Sequence, residues 1–238
     1  MVAYPPHRPV GSLEARAADL EAVAAGVPSL VLMEHAGRAL AALAAELRIG
    51  PGPVVVLCGP GNNGGDGYAC ARFLASWGMA ARILRFSGDA PRTGDARAEH
   101  ELALRDLSVE EVARDDPQAL VRAFGRPSLV VDALFGVGLV RALAPPYPAA
   151  IEVVNALPCP RLAADLPSGL DADHGVERPL AVRADVTAAM GLPKAGCFTA
   201  SGARCAGRVV ELDIGLPRAV HARFLRDSRR ADVGRPPR

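Results

Sequence analysis

The sequence predicts an α/β layered fold with a mostly parallel sheet, and three observations support this fold class. Segments with strand character alternate along the chain with segments of helical periodicity. The run VVVLC at residues 54–58 is short, apolar and β-branched, as is typical of a strand buried on both faces. Hydrophobic residues make up 50% of the 238 residues and charged residues 22%, which is the composition of an ordinary globular protein.

The first two predicted elements are helices that precede the first strand. Residues 12–25 form an alanine-rich segment that ends at Gly26, and Pro28 opens a second helix that ends before Gly50. In the second segment, apolar side chains recur at helical spacing at Met33, Ala36, Leu40, Leu43 and Leu47. These helices either cover one face of the sheet or pack against another copy of the chain.

The remaining elements alternate. Helices are predicted over residues 66–77, 93–107 and 148–156, and another starts where Asp116 is an N-cap followed by Pro117. Strands are predicted over residues 80–86, 129–132, 162–165, 185–190 and 208–212. Residues 218–238 contain seven Arg and two Asp, and we expect a short helix followed by a basic tail. With a flexible N-terminus over residues 1–10, these boundaries leave one domain over residues 11–217.

Composition and charge argue against several classes of function. The formal net charge of +1 argues against a nucleic-acid-binding protein with a basic face. We expect no signal peptide, because the first ten residues lack an apolar core, and no membrane span, because no apolar run approaches about 18 residues. The five cysteines form no C-x-x-C pair, which is typical of reduced thiols in the cytoplasm. No histidine lies at metal-ligand spacing from another His or Cys, so we expect no zinc site.

The segment GPGNNGGDG at residues 59–67 lies between the first predicted strand and the next helix. Glycine backbone leaves room for an anion, and a helix that starts near Asp66 would direct free N–H groups to the same place. The segment contains a G-x-G-x-x-G pattern, but Arg85 and Phe86 replace the acid that hydride-transferring dinucleotide folds have after their second strand. We therefore predict a phosphate-binding turn, and a tight turn without a ligand is the alternative.

Two later strands end on an acidic residue, Asp132 and Asp165. Ligands of doubly wound sheets lie beyond the carboxyl ends of the strands, so we expect the two carboxylates to share a site. Either carboxylate taken alone is equally consistent with a helix cap. Asp132, Ser168 and the amides of Asn62 and Asn63 offer hard oxygen ligands of the kind that alkali and alkaline-earth cations prefer.

Lys194 is the only lysine among the 27 basic residues. A coding bias towards arginine explains the others and leaves two interpretations of Lys194. It is either a chance survival or a position that requires a compact ammonium, because a guanidinium has a different shape.

Together these segments resemble the NAD(P)H-hydrate epimerase family, whose fold is the YjeF-type N-terminal domain. The resemblance covers about residues 11–217. It includes GVPSLVLMEHAG at 26–37, the GPGNNGGDG segment, DALFGVGL at 132–139, DLPSGLD at 165–171, DVT at 185–187 and PK at 193–194. His35 departs from the Asn often found in that helix. The resemblance implies a Rossmann-like three-layer α/β/α sandwich. It also implies an isomerase that interconverts the R and S forms of hydrated NADH and NADPH at C6 of the nicotinamide ring.

The resemblance also assigns roles to residues of this sequence. It implies that Asp165 contacts the nicotinamide end and acts as general acid or base, and that Asn63, Asp132 and Ser168 hold a potassium ion. The residues implied to bind the substrate are Asn62, Asn63, Gly64, Gly65, Asp66, Gly136, Val137, Gly138, Leu139, Val140, Arg141, Ala142 and Asp165. We expect the charge of Lys194 to offset the dinucleotide phosphates, and we expect arginine to replace it without a large loss of activity.

Partners and alternatives follow from the same resemblance. A dehydratase that repairs one of the two epimers is the expected functional partner, and the setting is cytoplasmic. The apolar surface of the first helix (Leu13, Ala17, Leu20 and Ala24) predicts a homodimer joined through this region. Two alternatives remain: a non-catalytic ligand-binding or scaffold module of the same fold, and the epimerase half of a bifunctional epimerase–dehydratase.

Overall fold

The structure, a computed structural model, describes residues 7–113, 116–139 and 141–225. Its helices are α1 (Ser12–Ala24), α2 (Ser29–Leu47), α3 (Asn62–Ser76), α4 (Gly94–Ala103), α5 (Pro117–Phe124), α6 (Tyr147–Ala156), α7 (Gly202–Ala206) and α8 (Arg218–Phe224), with a 3₁₀ turn η1 (Ala195–Phe198). Its strands are β1 (Val54–Cys58), β2 (Ala81–Phe86), β3 (Val109–Val112), β4 (Leu129–Ala133), β5 (Arg161–Ala164), β6 (Val186–Met190) and β7 (Arg208–Leu212).

The strands form one sheet in the order β3-β2-β1-β4-β5-β6-β7, and every pairing is parallel. Strand β1 pairs with β2 on one side and with β4 on the other, so the direction of chain progression reverses there. In doubly wound sheets this reversal opens a crevice at the carboxyl ends of the strands. The predicted α/β fold class is confirmed, and the described part of the sheet is entirely parallel.

The position of residues 54–58 in the sheet explains why apolar and polar residues do not alternate in this strand. Val54 and Val56 pack on the face covered by α1, α2, α3 and α8, whereas Val55 and Leu57 pack on the face covered by α5 and α6. All five residues of β1 are buried, because helices cover both faces of the sheet. Burial of this apolar surface contributes roughly 25 cal/mol per Å² to folding.

Helix α3 begins at Asn62, four residues before the predicted start at residue 66. Glycines disfavour helix, and the sequence therefore indicated a loop over this stretch. Packing reverses that preference, because a Cβ at Gly64 would lie 1.9 Å from the carbonyl oxygen of Gly59 and one at Gly65 would lie 2.6 Å from Sδ of Met33. The asparagines of the turn thus belong to the first turn of a helix.

Strand β3, turn η1 and helix α7 were not predicted, and the helix predicted over 93–107 ends at Ala103. Strand β3 lies at the edge of the sheet, where its two central glutamates are exposed and form salt bridges with arginines of β2. Two adjacent glutamates interrupt the apolar pattern that predicts a strand from sequence. In the sheet, salt bridges to the neighbouring strand stabilise them.

The ends of the described chain pack together. The backbone N–H of Arg8 donates to the carbonyl of Phe224 in α8, and Val10 donates to the carbonyl of Pro193 at 2.8 Å. Residues 7–10, predicted as part of a flexible N-terminus, therefore have defined backbone partners. Residues 1–6 and the predicted basic tail over 226–238 lie outside the described residues. None of the described helices combines the length and apolar character needed to cross a bilayer.

Candidate functional site

A cavity of about 620 Å³ lies beyond the carboxyl ends of β1, β4, β5 and β6, beside the point where the chain reverses direction. Arg16, Asp19 and Leu20 of helix α1 line it, and so do residues 60–63 at the turn into α3. The loop after β4 lines it with residues 134–139, while Asp165 and Lys194 also face it. This is the position at which open α/β sheets bind their ligands.

The glycine turn offers unpaired backbone donors to this cavity. The N-cap of α3 is Gly61, without a side-chain cap, and the first intrahelical bond from this turn is that of Gly65 N–H to Gly61 at 3.1 Å. The N–H groups of the first turn before Gly65 therefore have no acceptor within the helix. No atom lies within 4 Å of a Cβ built on Gly61, so an anion has free access to these donors.

Asp165 follows β5 in an unusual backbone conformation. Its φ of 65° is the only positive value among the described non-glycine residues. Such a conformation costs of the order of 1–3 kcal/mol and persists only where the surroundings impose it. Here the backbone N–H of Asp165 donates to Ala188 at 2.8 Å, and its Oδ1 accepts the N–H of Met190 at 3.2 Å and a hydrogen bond from Nζ of Lys194. The carboxylate is thus held at one oxygen by two donors.

The second oxygen of Asp165 faces the cavity. A Cβ built at Gly136 would lie 3.4 Å from Oδ2 of Asp165 and 3.4 Å from Oδ1 of Asn63, so the loop after β4 approaches both closely. Oδ2 makes no hydrogen bond among the described residues and is left to accept one from a ligand. The glycine turn, the loop after β4 and the loop after β5 therefore converge at this carboxylate.

Asp132 and Ser168 form a buried pair beside this convergence. Oδ1 of Asp132 accepts the hydroxyl of Ser168 at 2.6 Å, and Oδ2 accepts its backbone N–H at 2.8 Å. No basic side chain bonds to Asp132 within the described residues, and both residues have no exposed surface. Desolvation by burial raises the pKa of Asp132 to about 6, although the bonds from Ser168 act to lower it.

Asn63 adds an orphaned amide to this pair. Its side chain is buried, yet among the described residues neither its Oδ1 nor its Nδ2 has a hydrogen-bond partner. Buried amides without partners are costly, and the free acceptor oxygen of Asn63, close to Gly136 in the loop after β4, is available to a cation. The donors are carboxylate, hydroxyl and amide oxygens, which hard monovalent and divalent cations prefer. The described residues contain no group of three or more His, Cys, Asp or Glu placed to bind a metal ion. In donor chemistry alone, residues 63, 132 and 168 fit a hard cation.

Two further acidic residues line the cavity. Desolvation raises the pKa of Asp66 on α3 well above its usual range, and the nearby carboxylate of Asp165 adds to this effect. Desolvation likewise raises the pKa of Asp19 on α1 to about 6, while the charge of Lys194 opposes the shift. No sequence pattern marked Asp19 or Arg16, because exposed charged residues are ordinary on a helix and both come to the cavity only through the packing of α1.

Lys194 has a buried carboxylate as its partner. It is 3% exposed, and its Nζ bonds to Oδ1 of Asp165 and to the carbonyl of Met190 at 3.2 Å. The bond to Asp165 was not predicted, and the expectation that the charge of Lys194 offsets the dinucleotide phosphates stays a prediction. The rarity of lysine in this arginine-rich sequence indicated that Lys194 could have a special role. The spacing of residues along the chain did not predict that its partner is Asp165.

The structure brings most of the predicted binding residues together. Those that line the cavity are Asn62, Asn63, Asp66, Gly136, Val137, Gly138, Leu139 and Asp165. Gly64 and Gly65 lie behind the cavity wall, in contact with Gly59 and Met33. Arg141 and Ala142 are exposed and do not line the cavity, and Val140 lies outside the described residues.

Comparisons with known proteins show the family of this chain. The sequence profile of the family described as YjeF-related protein N-terminus matches residues 29–196. A protein of Limosilactobacillus fermentum named NAD(P)H-hydrate epimerase is 36% identical over 189 residues, which cover 79% of this chain and 87% of the relative. One of the same name from Rhodopirellula baltica is 36% identical, with 80% of this chain and 77% of the relative covered.

Longer relatives also match. A protein of Pyrobaculum aerophilum named bifunctional NAD(P)H-hydrate repair enzyme Nnr is 37% identical over 211 residues, which cover 87% of this chain but 42% of the relative. The chain thus spans about two fifths of the length of the bifunctional relatives it matches. A crystal structure of the yeast protein ynu0 has the same fold, with a TM-score of 0.71 over 86% of this chain and 87% of that one at 24% identity.

Proposed function

The chain belongs to the family of YjeF-related protein N-termini, and on that premise we propose that it is an NAD(P)H-hydrate epimerase. It interconverts the R and S forms of hydrated NADH and NADPH at C6 of the nicotinamide ring. One observation supports this proposal above the others. A carboxylate oxygen of Asp165 is directed into a cavity that is also lined by a glycine turn whose backbone donors have no acceptor within the helix.

The arrangement provides separate places for the parts of a hydrated dinucleotide. The pyrophosphate binds at the N-terminus of α3, where the free N–H groups and the helix dipole favour negative charge. The nicotinamide end reaches Asp165 and the loop after β4. A second cleft, of about 490 Å³, continues past Pro60–Asn62 towards Gly88 and Thr93 and offers room for the adenosine half.

Inversion at C6 requires that one bond to this carbon breaks and forms again on the other face. Either the C6–N1 bond opens or the C6–O bond is lost with water, and each route moves a proton at the substrate hydroxyl. Oδ2 of Asp165 is free to exchange that proton, while Oδ1 is held by Lys194 and Met190. Such a proton transfer typically accelerates a reaction about 10²–10⁴-fold.

We propose potassium as the cation held by Asn63, Asp132 and Ser168. When bound, it supplies positive charge to a buried carboxylate that lacks a basic partner. The hydroxyl of Ser168 also accepts the N–H of Phe135 at 2.9 Å, so the same residues connect the loops after β4 and β5. Their part in the reaction is to hold those loops, and the side chain of Asp165, in place.

The length of the bifunctional relatives supports a second proposal. The chain acts together with a dehydratase that consumes one epimer, either as a separate protein or as a linked domain. We also propose a homodimer, because Leu13 and Leu20 of α1 are 79% and 70% exposed. The five cysteines are free, and we place the activity in the cytoplasm on that ground.

The test uses the separated epimers of hydrated NADH. Each epimer is incubated with the purified protein, and the approach to the equilibrium mixture is followed by chromatography. The Asp165→Asn variant, which keeps the shape of the side chain and removes its basicity, is expected to lose activity by about 10²–10⁴-fold. A wild-type protein that leaves each epimer unchanged would contradict the proposed function. A fully active Asp165→Asn variant would contradict the role of this residue.

A further inference from the structure

We propose that Lys194 is a positioning residue that commits Asp165 to act as a general base, so that inversion proceeds by opening of the C6–N1 bond. This inference rests on the proposed function and deepens it. It assigns a role to a residue outside the predicted site, and it chooses between the two chemical routes.

The geometry of the pair is fixed on both sides. The Lys194 ammonium bonds to only one oxygen of Asp165, and the carbonyl of Met190 takes a second donor position. The backbone of Lys194 is fixed in turn, because Val10 donates to Pro193 and accepts from Ala195, both at 2.8 Å. One oxygen of Asp165 is therefore immobilised, and the other is directed at the cavity beside Gly136.

Burial explains why this position holds a lysine. Only 3% of the residue is exposed, and the site accommodates a compact ammonium at the end of a flexible stem. A planar guanidinium carries five donors and is larger, so it would displace Asp165 or leave buried N–H groups without partners. Arginine fills the other basic positions of the chain but does not suit this one.

The charges around the pair come from three elements. Helix α1 contributes Arg16 and Asp19, α3 contributes Asp66, and η1 contributes Cys197. Desolvation raises the pKa of Cys197 to about 12 and that of Asp66 well above its usual range. Arg16 is exposed and donates to the carbonyl of Val137 at 3.2 Å. Lys194 is thus the buried cation that bonds directly to Asp165.

A cation bonded to one carboxylate oxygen favours the ionised form of the group. Loss of water would require a carboxylic acid that donates a proton to the C6 hydroxyl, which the ammonium disfavours. Ring opening requires a base. Oδ2 of Asp165 accepts the proton of the C6 hydroxyl, and the electron pair of that O–H bond forms the C6=O bond. The C6–N1 bond breaks, its electron pair moves to N1, and N1 receives the proton from Asp165. Rotation about C5–C6 and the reverse steps close the ring on the other face, with atoms and charge balanced.

The experiment compares Lys194→Met, Lys194→Arg and Lys194→Ala with the wild-type enzyme. For each, kcat and KM for the separated NADH hydrates are measured from pH 5 to pH 9 at constant potassium concentration. We expect Lys194→Met to lower kcat by about 10²-fold with little change in KM, because substrate contacts remain and the base is displaced. The pH at which activity is half-maximal on the acid side should rise. Lys194→Arg should not restore kcat.

The Lys194→Ala variant adds a readout that a purely structural role would not change. Ethylammonium ions should restore part of its activity in proportion to their concentration, whereas tetramethylammonium at the same ionic strength should not. The matched control is Arg161→Met, which removes the partner of Asp185 (3.3 Å) at the opposite end of the same strand β5. We expect its kcat and pH profile to match the wild type.

The outcomes separate this inference from the proposed function. A wild-type protein that does not interconvert the hydrates would refute the function itself. A wild-type epimerase whose Lys194→Met variant keeps kcat and the acid-side midpoint would refute only the role of Lys194. If Lys194→Met melts too early to be assayed, an unrescued Lys194→Ala variant with a wild-type melting temperature would overturn the inference equally.

Discussion

Asp132 gives a prediction about stability that needs no substrate. Burial without a basic partner raises its pKa from 3.8 to about 6 in the folded protein. A raised folded-state pKa stabilises the fold at low pH, and that stability is lost as the pH rises through about 6. The shift corresponds to about 3 kcal/mol of unfolding free energy lost between about pH 4 and pH 7 in the absence of a bound cation.

The assay is urea unfolding of the wild type and of Asp132→Asn across this pH range, in choline chloride and in potassium chloride. The amide has one acceptor oxygen and cannot accept both the backbone N–H and the hydroxyl of Ser168 as the carboxylate does, so the variant is less stable at low pH by about 1–3 kcal/mol. The informative quantity is the slope with pH. The difference between the two pH dependences in choline should integrate to about 3 kcal/mol, and potassium should reduce the wild-type loss by mass action.

Other groups titrate in the same range, notably Asp19 and Glu99, with pKa values raised to about 6 and about 7. They are common to both proteins and cancel in the difference. The control is Asp106→Asn, which removes an exposed carboxylate and should leave the slope unchanged. Parallel pH dependences of the wild type and Asp132→Asn would refute the reasoning, and an equal effect of choline and potassium would remove the cation from the site.

Three further predictions follow from the described contacts. Gly64→Ala should unfold or be strongly destabilised, because its Cβ would lie 1.9 Å from the backbone oxygen of Gly59, and thermal melting checks this against Gly61→Ala, where no atom lies within 4 Å. If ring opening is the route, hydrated NADH labelled with ¹⁸O at C6 should keep its label through many inversions in unlabelled water, and mass spectrometry showing one exchange per inversion would contradict it. Light scattering at micromolar concentration should report about twice 24.7 kDa, and a double substitution of Leu13 and Leu20 by Ser should shift the mass towards the monomer; a monomeric wild type would exclude the dimer.

The sequence predicted the sheet because its strongest strands are chemically unambiguous. The run at 54–58 has no alternation, and such a segment is stable only between two layers of helices. Strand β3 was not predicted, because two of its four residues are glutamates whose salt-bridge partners lie on a neighbouring strand. The start of α3 was placed late because glycine propensity is a local property, while the packing of Gly64 on Gly59 is not.

The candidate site was partly predictable for a similar reason. Acidic residues at strand ends and glycines between strand and helix are local patterns, and the topology of a parallel sheet brings them to one edge. The pairing of Lys194 with Asp165 depends on the positive φ of the aspartate and on the bend after β6. The contribution of α1 depends on where a whole helix packs. The spacing of residues along the sequence predicts neither the Lys194–Asp165 bond nor the position of α1 at the cavity.

The backbone bonds of Val10 with Pro193 and Ala195 have a consequence for how the protein is made. Ribosomal synthesis releases Val10 long before Pro193 and Ala195, so these bonds form only after the intervening chain has emerged. The glycine turn and β1 complete their local contacts much earlier. Contacts between such distant parts of a chain form slowly, because the loop between them must close first. We therefore expect the backbone around Lys194 to become ordered after the glycine turn. A nascent chain then forms its phosphate-binding turn before Lys194 can bond to Asp165.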